Sequence, residues 1–292
     1  MSRAPVLPDG WTLVALYTVG STNDEAAQLA DSGAPEGTVV WSREQTGGRG
    51  RRGRVWASPV GNLYTSTILR PDCLAQRAAE LGFAAALAVA DIVPAGREVR
   101  VKWPNDVLVD GGKIAGILLE SAIGQTGQVQ HVVAGIGVNV GFAPQLPEMR
   151  YPGSALGGSV EAALEKLAAA LAARLAEWRR EGFETVRAAW LAKAGPLGAE
   201  VDVKLGDGLV RGRFAGLDRE GALLLDTATG PRKIVSGELL GPRGLEETEG
   251  CCSLSMSAIP TRNSPCSTAT RSSRSGDCAP KPSARPTNMP RG

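Results

Sequence analysis

Two apolar runs, Ile114 to Ser121 and Val129 to Val140, limit the folds open to this chain more than any other feature. Each is dominated by Ile, Val, Leu, Ala and Gly over strand length, the pattern of a strand buried in a sheet. The Gly-rich stretch between them reads as the turn of a hairpin, so the two pair. Further strands are expected at 13–19, 38–43, 62–69, 99–103 and 107–109. Pro104, which a central ladder would not accept, separates the last two, and Asp110-Gly111-Gly112 reads as a hairpin turn. A helix is expected from Asp24 to Asp31 behind the polar N-cap candidates Gly20-Ser21-Thr22-Asn23. The Ala- and Leu-rich stretch 75–93 reads as one long helix. A helix over 159–180 follows from the spacing of Val160, Leu164, Leu167, Leu171, Leu175 and Trp178, and another is expected over 183–192. The stretch 45–56 has neither period and reads as a loop.

Composition changes at Gly195-Pro196, which marks a domain boundary. Short strands at 201–205, 209–217, 222–226 and 232–235, joined by tight turns, predict a small β-barrel of four or five strands. The pattern dissolves from about Gly241, and residues 251–292, rich in Ser, Pro, Thr and Arg, are expected to be disordered. The expected class is therefore α+β: a central mixed or antiparallel sheet with packed helices in 1–194, a small β-barrel in 195–245, and a tail in 246–292. The longest apolar run, Phe83 to Ala90, is too short to span a membrane. The first ten residues lack a signal-peptide pattern, so a cytoplasmic location is expected.

Charge is unevenly placed. The net +2 divides into +5 over residues 251–292 and −3 over residues 1–250, which argues against a bulk nucleic-acid binder. Four of five cysteines lie in the tail, only Cys73 lies in the body, and His131 is the one histidine. A structural zinc site is not expected on these counts, and a disulfide framework in the body is excluded because it contains only Cys73.

Three segments carry chemistry. The heptad Gly48-Arg49-Gly50-Arg51-Arg52-Gly53-Arg54 combines close backbone approach with guanidinium forks that suit phosphate and carboxylate. Four like charges so close predict a loop that is mobile until an anion arrives. Read alone, it equally fits a solvated basic loop or an Arg-Gly nucleic-acid-binding segment. Trp56 follows it and suits stacking on a purine or a place in the core. In Lys102-Trp103-Pro104-Asn105-Asp106 the proline would aim Asn105 and Asp106 off a strand end. Lys113 opens the strand Ile114 to Ser121, either as a desolvated charge near an anion or as an ordinary hairpin lysine. In Gly135-Ile136-Gly137-Val138-Asn139, closely spaced glycines within a strand mean that something large approaches the backbone. The GxGxxG and GxxxxGK[ST] fingerprints are both missing.

Ser21-Thr22-Asn23, Gln45, the heptad, Lys102 to Asp106, Lys113 to Leu118 and Gly135 to Asn139 together resemble, in order and spacing, the biotin–protein ligases. The resemblance covers residues 10–240. It implies a class II aminoacyl-tRNA synthetase-like catalytic domain, an SH3-like C-terminal barrel and two reactions. Biotin and ATP form biotinyl-AMP with Mg²⁺, and biotin then passes to a lysine of a biotin carboxyl carrier protein. It places biotin against Ser21, Thr22, Asn23, Gln45, Arg49, Gly50, Arg51, Lys113, Gly116 and Leu118. ATP and the adenylate would meet Arg51, Arg52, Arg54, Trp56, Asn105, Lys113 and Asn139. Lys113, Arg51 and Arg49 are the catalytic candidates, and Asp106 is a candidate outer-shell partner of Mg²⁺ or orienter of the incoming lysine. No covalent acyl-enzyme is expected, since the body offers no Ser-His-Asp or Cys-His set. Few residues precede the first strand, so a DNA-binding domain and DNA itself are not expected, nor is a membrane. Monomer and homodimer stay open. The competing readings are a lipoate or octanoate ligase on the same scaffold, a non-catalytic Arg-Gly nucleic-acid module, and a biotin sensor without catalysis.

Overall fold

The structure, a computed structural model, describes residues 4–144, 151–195 and 197–242; the tail expected to be disordered lies outside the described residues. Seven strands form the larger sheet: β1 (Thr12–Val19), β2 (Thr38–Gln45), β3 (Leu63–Leu69), β4 (Val99–Lys102), β5 (Asp106–Val109), β6 (Gly112–Ile123) and β7 (Val129–Val138). Their order is β1-β2-β3-β7-β6-β5-β4. Only β1 and β2 run parallel, and every other pair is antiparallel, so the sheet is mixed. β7 is the middle strand. Its Val132 and Ala134 pack into one core and Val133 into another on the opposite face, which is why its sequence is apolar without alternation.

Among the described residues, five α-helices pack on the faces of this sheet. α1 (Thr22–Asp31) packs Ala26 and Ala30 against Val40, Ile68 and Val133. α3 (Glu80–Asp91), α4 (Val160–Glu181) and α5 (Phe183–Lys193) share the other core. The segment expected as one helix over 75–93 is α2 (Ala75–Ala78) followed by α3, which ends at Asp91. At the break Ala79 keeps right-handed helical angles and Gly82 N–H bonds Ala79 O at 3.1 Å, so the turn tightens rather than changes direction. α4 is capped by Ser159, whose hydroxyl accepts from Ala162 N–H. Leu164, Leu167, Leu171 and Leu175 are buried on one stripe of α4; each contributes about 1.5–3 kcal/mol of burial, so Leu171→Ala costs about 2–5 kcal/mol.

The smaller sheet holds β8 (Glu200–Leu205), β9 (Gly208–Leu217), β10 (Leu223–Thr227), β11 (Gly230–Ile234) and β12 (Glu238–Pro242), in the order β11-β10-β9-β8-β12, all antiparallel. β12 falls where the sequence pattern was expected to fade. It pairs with β8 despite Pro242 because it is an edge strand. The two sheets are tied together. Trp103 Nε1 donates to Gly221 O at 3.1 Å, and Arg187 Nη1 donates to Leu217 O at 2.7 Å. Gly221 has φ +84°, and a Cβ there would lie 2.7 Å from the Phe83 ring, so both its angle and its neighbour demand glycine. No helix among the described residues is long and apolar enough to cross a membrane.

Candidate active site

A cleft of about 710 Å³ opens on the α1 face of the larger sheet. It is lined by every residue that the sequence marked for biotin or nucleotide: Ser21 to Asn23, Gln45, the heptad from Arg49 to Arg54 except Gly53, Trp56, Asn105, Asp106, Lys113, Gly116, Leu118 and Asn139. His131 is not among the lining residues; it is buried, with Nδ1 3.9 Å from Asp31 Oδ1.

One end of the cleft is neutral. α1 begins at Thr22, two residues earlier than expected, and Ser21 stands at its N-cap without a capping bond. The Thr22 N–H is taken instead by Gln45 Oε1 at 2.8 Å, which also accepts the Thr22 hydroxyl at 3.1 Å. Gln45 Nε2 donates to Ser58 Oγ at 2.9 Å, and Ser58 donates to Trp56 O. These bonds fix the orientation of the Gln45 amide and leave one of its N–H groups over. Asn23 donates through Nδ2 to Glu120 Oε2 at 2.6 Å and to Leu118 O at 3.4 Å, and its Oδ1 accepts from Ser66 Oγ at 2.6 Å. The chain's own side chains explain the paired glycines of β7. A Cβ at Gly135 would collide with the Asn23 amide, and one at Gly137 would lie 2.5 Å from Trp56 Nε1. The large group expected against this backbone is thus Asn23 at one glycine and Trp56 at the other. Trp56 Nε1 is buried without a hydrogen-bond partner.

The other end is cationic. The heptad is folded back on itself: Arg49 bridges Val55, Gly50 N–H bonds Arg54 O at 2.7 Å, and Arg52 takes a left-handed angle, φ +57°. The expected repulsion among its arginines is relieved by divergence. Arg49 makes a bidentate pair with Asp24 at 2.5 and 2.7 Å and approaches Glu120 at 3.6 Å. These carboxylates, Asp24 foremost, hold its guanidinium above the ordinary arginine range, so Arg49, expected as a catalytic cation, is already neutralised. Arg54 pairs with Glu238 of β12. Arg51 is half-buried and reaches Gly237 O at 3.5 Å; burial first, and then neighbouring Arg52, pushes its pKa down.

The β4–β5 turn supplies the rest. Asn105 donates to Ile117 O at 2.8 Å and accepts from Ile117 N–H through its backbone at 2.9 Å, locking the turn onto β6. Asp106 meets Lys113 at 2.7 Å and Lys102 at 3.6 Å. Lys113 also lies 5.3 Å from the Trp56 ring centroid, and Lys102 lies 4.3 Å from that of Tyr151. Lys102 is buried, and burial draws its pKa down against the pull of Asp106. Two ammonium groups on one carboxylate leave a surplus positive charge facing the cleft, a ready anion site. Asn139 is buried and donates to Lys113 O at 3.2 Å and Ser154 O at 3.3 Å, so its amide hydrogens hold the chain in place. Among the described residues no group of three or more His, Cys, Asp or Glu could hold a metal ion. The cleft's two lining carboxylates, Asp106 and Glu238, already face cations.

Sequence reasoning missed Lys102, Tyr151, Glu120 and Ser66 as site residues, and the contribution of Lys204, Gly237, Glu238 and Leu240 from the smaller sheet. Lys102 was within reach as the first residue of the quoted Lys-Trp-Pro-Asn-Asp segment. Nothing near Glu238 in the sequence signals a partner 184 positions away.

Residues 16–139 match the biotin/lipoate A/B protein ligase family, and residues 197–239 match the biotin protein ligase C terminal domain. A biotin–[acetyl-CoA-carboxylase] ligase from Paracoccus denitrificans is 42% identical over 239 residues, covering 77% of this chain and 98% of that protein. The bifunctional ligase/repressor BirA of Bacillus subtilis is 35% identical, over 79% of this chain and 74% of its own length. Among solved structures, the biotin protein ligase from Aquifex aeolicus in complex with biotin and ATP superposes with a TM-score of 0.65 at 28% identity, covering 78% of this chain and 97% of that one. Agreement on both sheets, and along nearly the full length of the Paracoccus enzyme, makes the chain a member of the biotin protein ligase family.

Proposed function

We propose that this protein joins biotin to ATP as biotinyl-AMP, releasing pyrophosphate, and then transfers biotin to one lysine of a biotin carboxyl carrier protein. The observation that carries this reading is the cleft itself, where a neutral hydrogen-bonding end built on Asn23 and Gln45 runs into a cationic end built on Lys113 and Arg51. Biotin has that shape: a ring urea, an apolar body and a carboxylate tail. The leftover Gln45 N–H suits a urea carbonyl, the open lone pair of Asn23 Oδ1 suits a urea N–H, and Leu118 lies along the ring. The match of the smaller sheet to a biotin ligase domain favours biotin over lipoate.

In the first step the biotin carboxylate attacks the α-phosphorus of ATP, and both reactants are anions. Lys113 and Lys102, sharing Asp106, and Arg51 with Arg52 neutralise them and the charge that develops. Holding both in one cleft supplies the orientation. Arg54 binds phosphate only by leaving Glu238. Trp56 and Asn139 flank Lys113 and shape the nucleotide's place. Mg²⁺, when bound with the nucleotide, would supply further positive charge against the phosphates, and Asp106, already facing Lys113 and Lys102, is the lining carboxylate that would stand as its outer-shell partner. In the second step the carrier lysine attacks the acyl carbon and AMP leaves. Asp106 orients the incoming amine, and the heptad covers the adenylate from water.

We further read residues 1–194 as the catalytic domain, with a class II synthetase-like sheet, and 195–245 as an SH3-like barrel that closes the cleft through Gly237 and Glu238. The cytoplasm, where ATP is abundant, is the proposed location, and the body charge of −3 gives no reason to assign a DNA partner. The test is pyrophosphate release that requires both biotin and ATP, with lipoate as control. Release driven equally by lipoate, or absent with biotin, refutes the reading.

A further inference from the structure

We propose that Glu120, on the cleft face of β6, is the positioning residue that decides which way the Asn23 carboxamide faces and so sets the affinity for biotin; this rests on the reading of the cleft just given. Gly116 and Leu118 line the cleft and Glu120 follows at the next outward step of the strand. It pairs with Val133, two residues beyond the Leu118–Gly135 pair over which Asn23 lies.

Asn23 could present either its oxygen or its NH₂ to the ligand, and only its neighbours choose. Ser66 does not choose, because a hydroxyl donates or accepts equally well. Leu118 O is a weak partner at 3.4 Å. The carboxylate of Glu120 accepts only, and it stands 2.6 Å from Nδ2. Turning the amide over would set two oxygens against each other at that distance. The orientation is therefore imposed by Glu120, and it leaves Oδ1 with Ser66 and one open lone pair, the acceptor that a ring urea N–H requires.

The same carboxylate has a second role. Its Oε1 lies 3.6 Å from Arg49, which Asp24 of α1 already holds with two bonds. Glu120 thus joins the first turn of α1 to the start of the heptad. Its side chain is 43% exposed, so replacing it leaves the hydrophobic core intact and the variants fold.

The experiment compares Glu120→Ala, Glu120→Gln, Asn23→Ala and the Glu120→Ala/Asn23→Ala double variant by steady-state pyrophosphate release, varying biotin and ATP separately. Glu120→Ala is expected to raise the KM for biotin about tenfold, the loss of a charged hydrogen bond. Its kcat and its KM for ATP should stay within about twofold of the parent enzyme. Glu120→Gln keeps an acceptor oxygen for Nδ2 and should return the KM to within about threefold of the parent. The double variant should be no worse than Asn23→Ala alone, because the two residues act through one bond. An unchanged KM in Glu120→Ala, an equal fall in all parameters, or a Glu120→Gln as impaired as the alanine variant overturns the inference while leaving the ligase reading standing. Absence of biotin-dependent release from the parent enzyme instead sinks the ligase reading, and the inference with it.

Discussion

At one end of the cleft the hydrogen bonds of Thr22, Asn23, Gln45, Ser58 and Ser66 close on one another; at the other, Lys102 and Lys113 face each other across a single carboxylate, with Arg51 half-buried nearby. The neutral end is oriented by its own partners, with one Gln45 N–H and one Asn23 lone pair left over. Its polar groups are held at fixed angles by one another and by the half-exposed Glu120 carboxylate, so on the proposed reading it would select by shape and donor pattern. The cationic end is complete only with an anion in it. Burial already weakens the charged form of Lys102 and of Arg51, and an incoming phosphate or carboxylate relieves that strain. On the proposed reading, affinity for biotin would be chiefly a property of one end, and rate a property of the other.

The largest expected break in that division is Lys113→Ala. It should lower pyrophosphate release by about 10²- to 10³-fold, the effect of removing one group that stabilises developing charge, and should weaken equilibrium binding of biotin, whose carboxylate alone meets it, by a much smaller factor. A stopped or quenched assay with excess biotin checks this, and near-normal release contradicts it. Next, Arg51→Gly should form the adenylate but let it escape about ten- to a hundredfold faster. A chase that follows biotin label onto unrelated lysines reports the leak, and unchanged retention refutes the role. Gln45→Ala acts on the opposite end and should raise the KM for biotin about tenfold at nearly constant kcat; a fall in kcat alone would blur the comparison. The smallest effect belongs to Glu238→Gln. Its pair with Arg54 is exposed on one side, so the KM for ATP should move by at most about fivefold. Arg54 holds the Glu238 carboxyl below its ordinary value of 4.5. That contribution is present at neutral pH and is lost only as pH falls through the lowered value, so parent and variant should converge in acid and differ near pH 7. Deleting residues 251–292 should change neither end, and loss of activity in that variant would show that the tail takes part.

Legibility in the sequence followed the range of the interactions. The central hairpin was plain because β6 and β7 are neighbours in chain and sheet, and their apolar runs report burial directly. α4 announced itself by the spacing of Leu164, Leu167, Leu171 and Leu175. The heptad and Lys113 each fitted a solvated loop or an ordinary hairpin lysine when read alone, and Gln45 carried no signal of its own; only the resemblance in order and spacing grouped the residues that line one cleft. What stayed hidden was pairwise. The engagement of Arg49 by Asp24 needs two segments to meet, and so does the room that Gly135 leaves for Asn23. The start of α1 at Thr22 was misplaced because the partner of its first N–H is Gln45, 23 residues on, and not a local cap. β12 was overlooked because a short edge strand containing Gly241 and Pro242 carries almost no periodic signal.

The late position of that strand has a consequence for biogenesis. Chains fold from the N-terminus as they are made, at about 5–20 residues per second, and all seven strands of the larger sheet are translated before residue 195. Arg51 and Arg54 must then wait for Gly237 and Glu238 to leave the ribosome. A nascent chain stalled between the two sheets would still lack the partners of Arg51 and Arg54, so on the proposed reading the basic loop is latched only after β12 has been made.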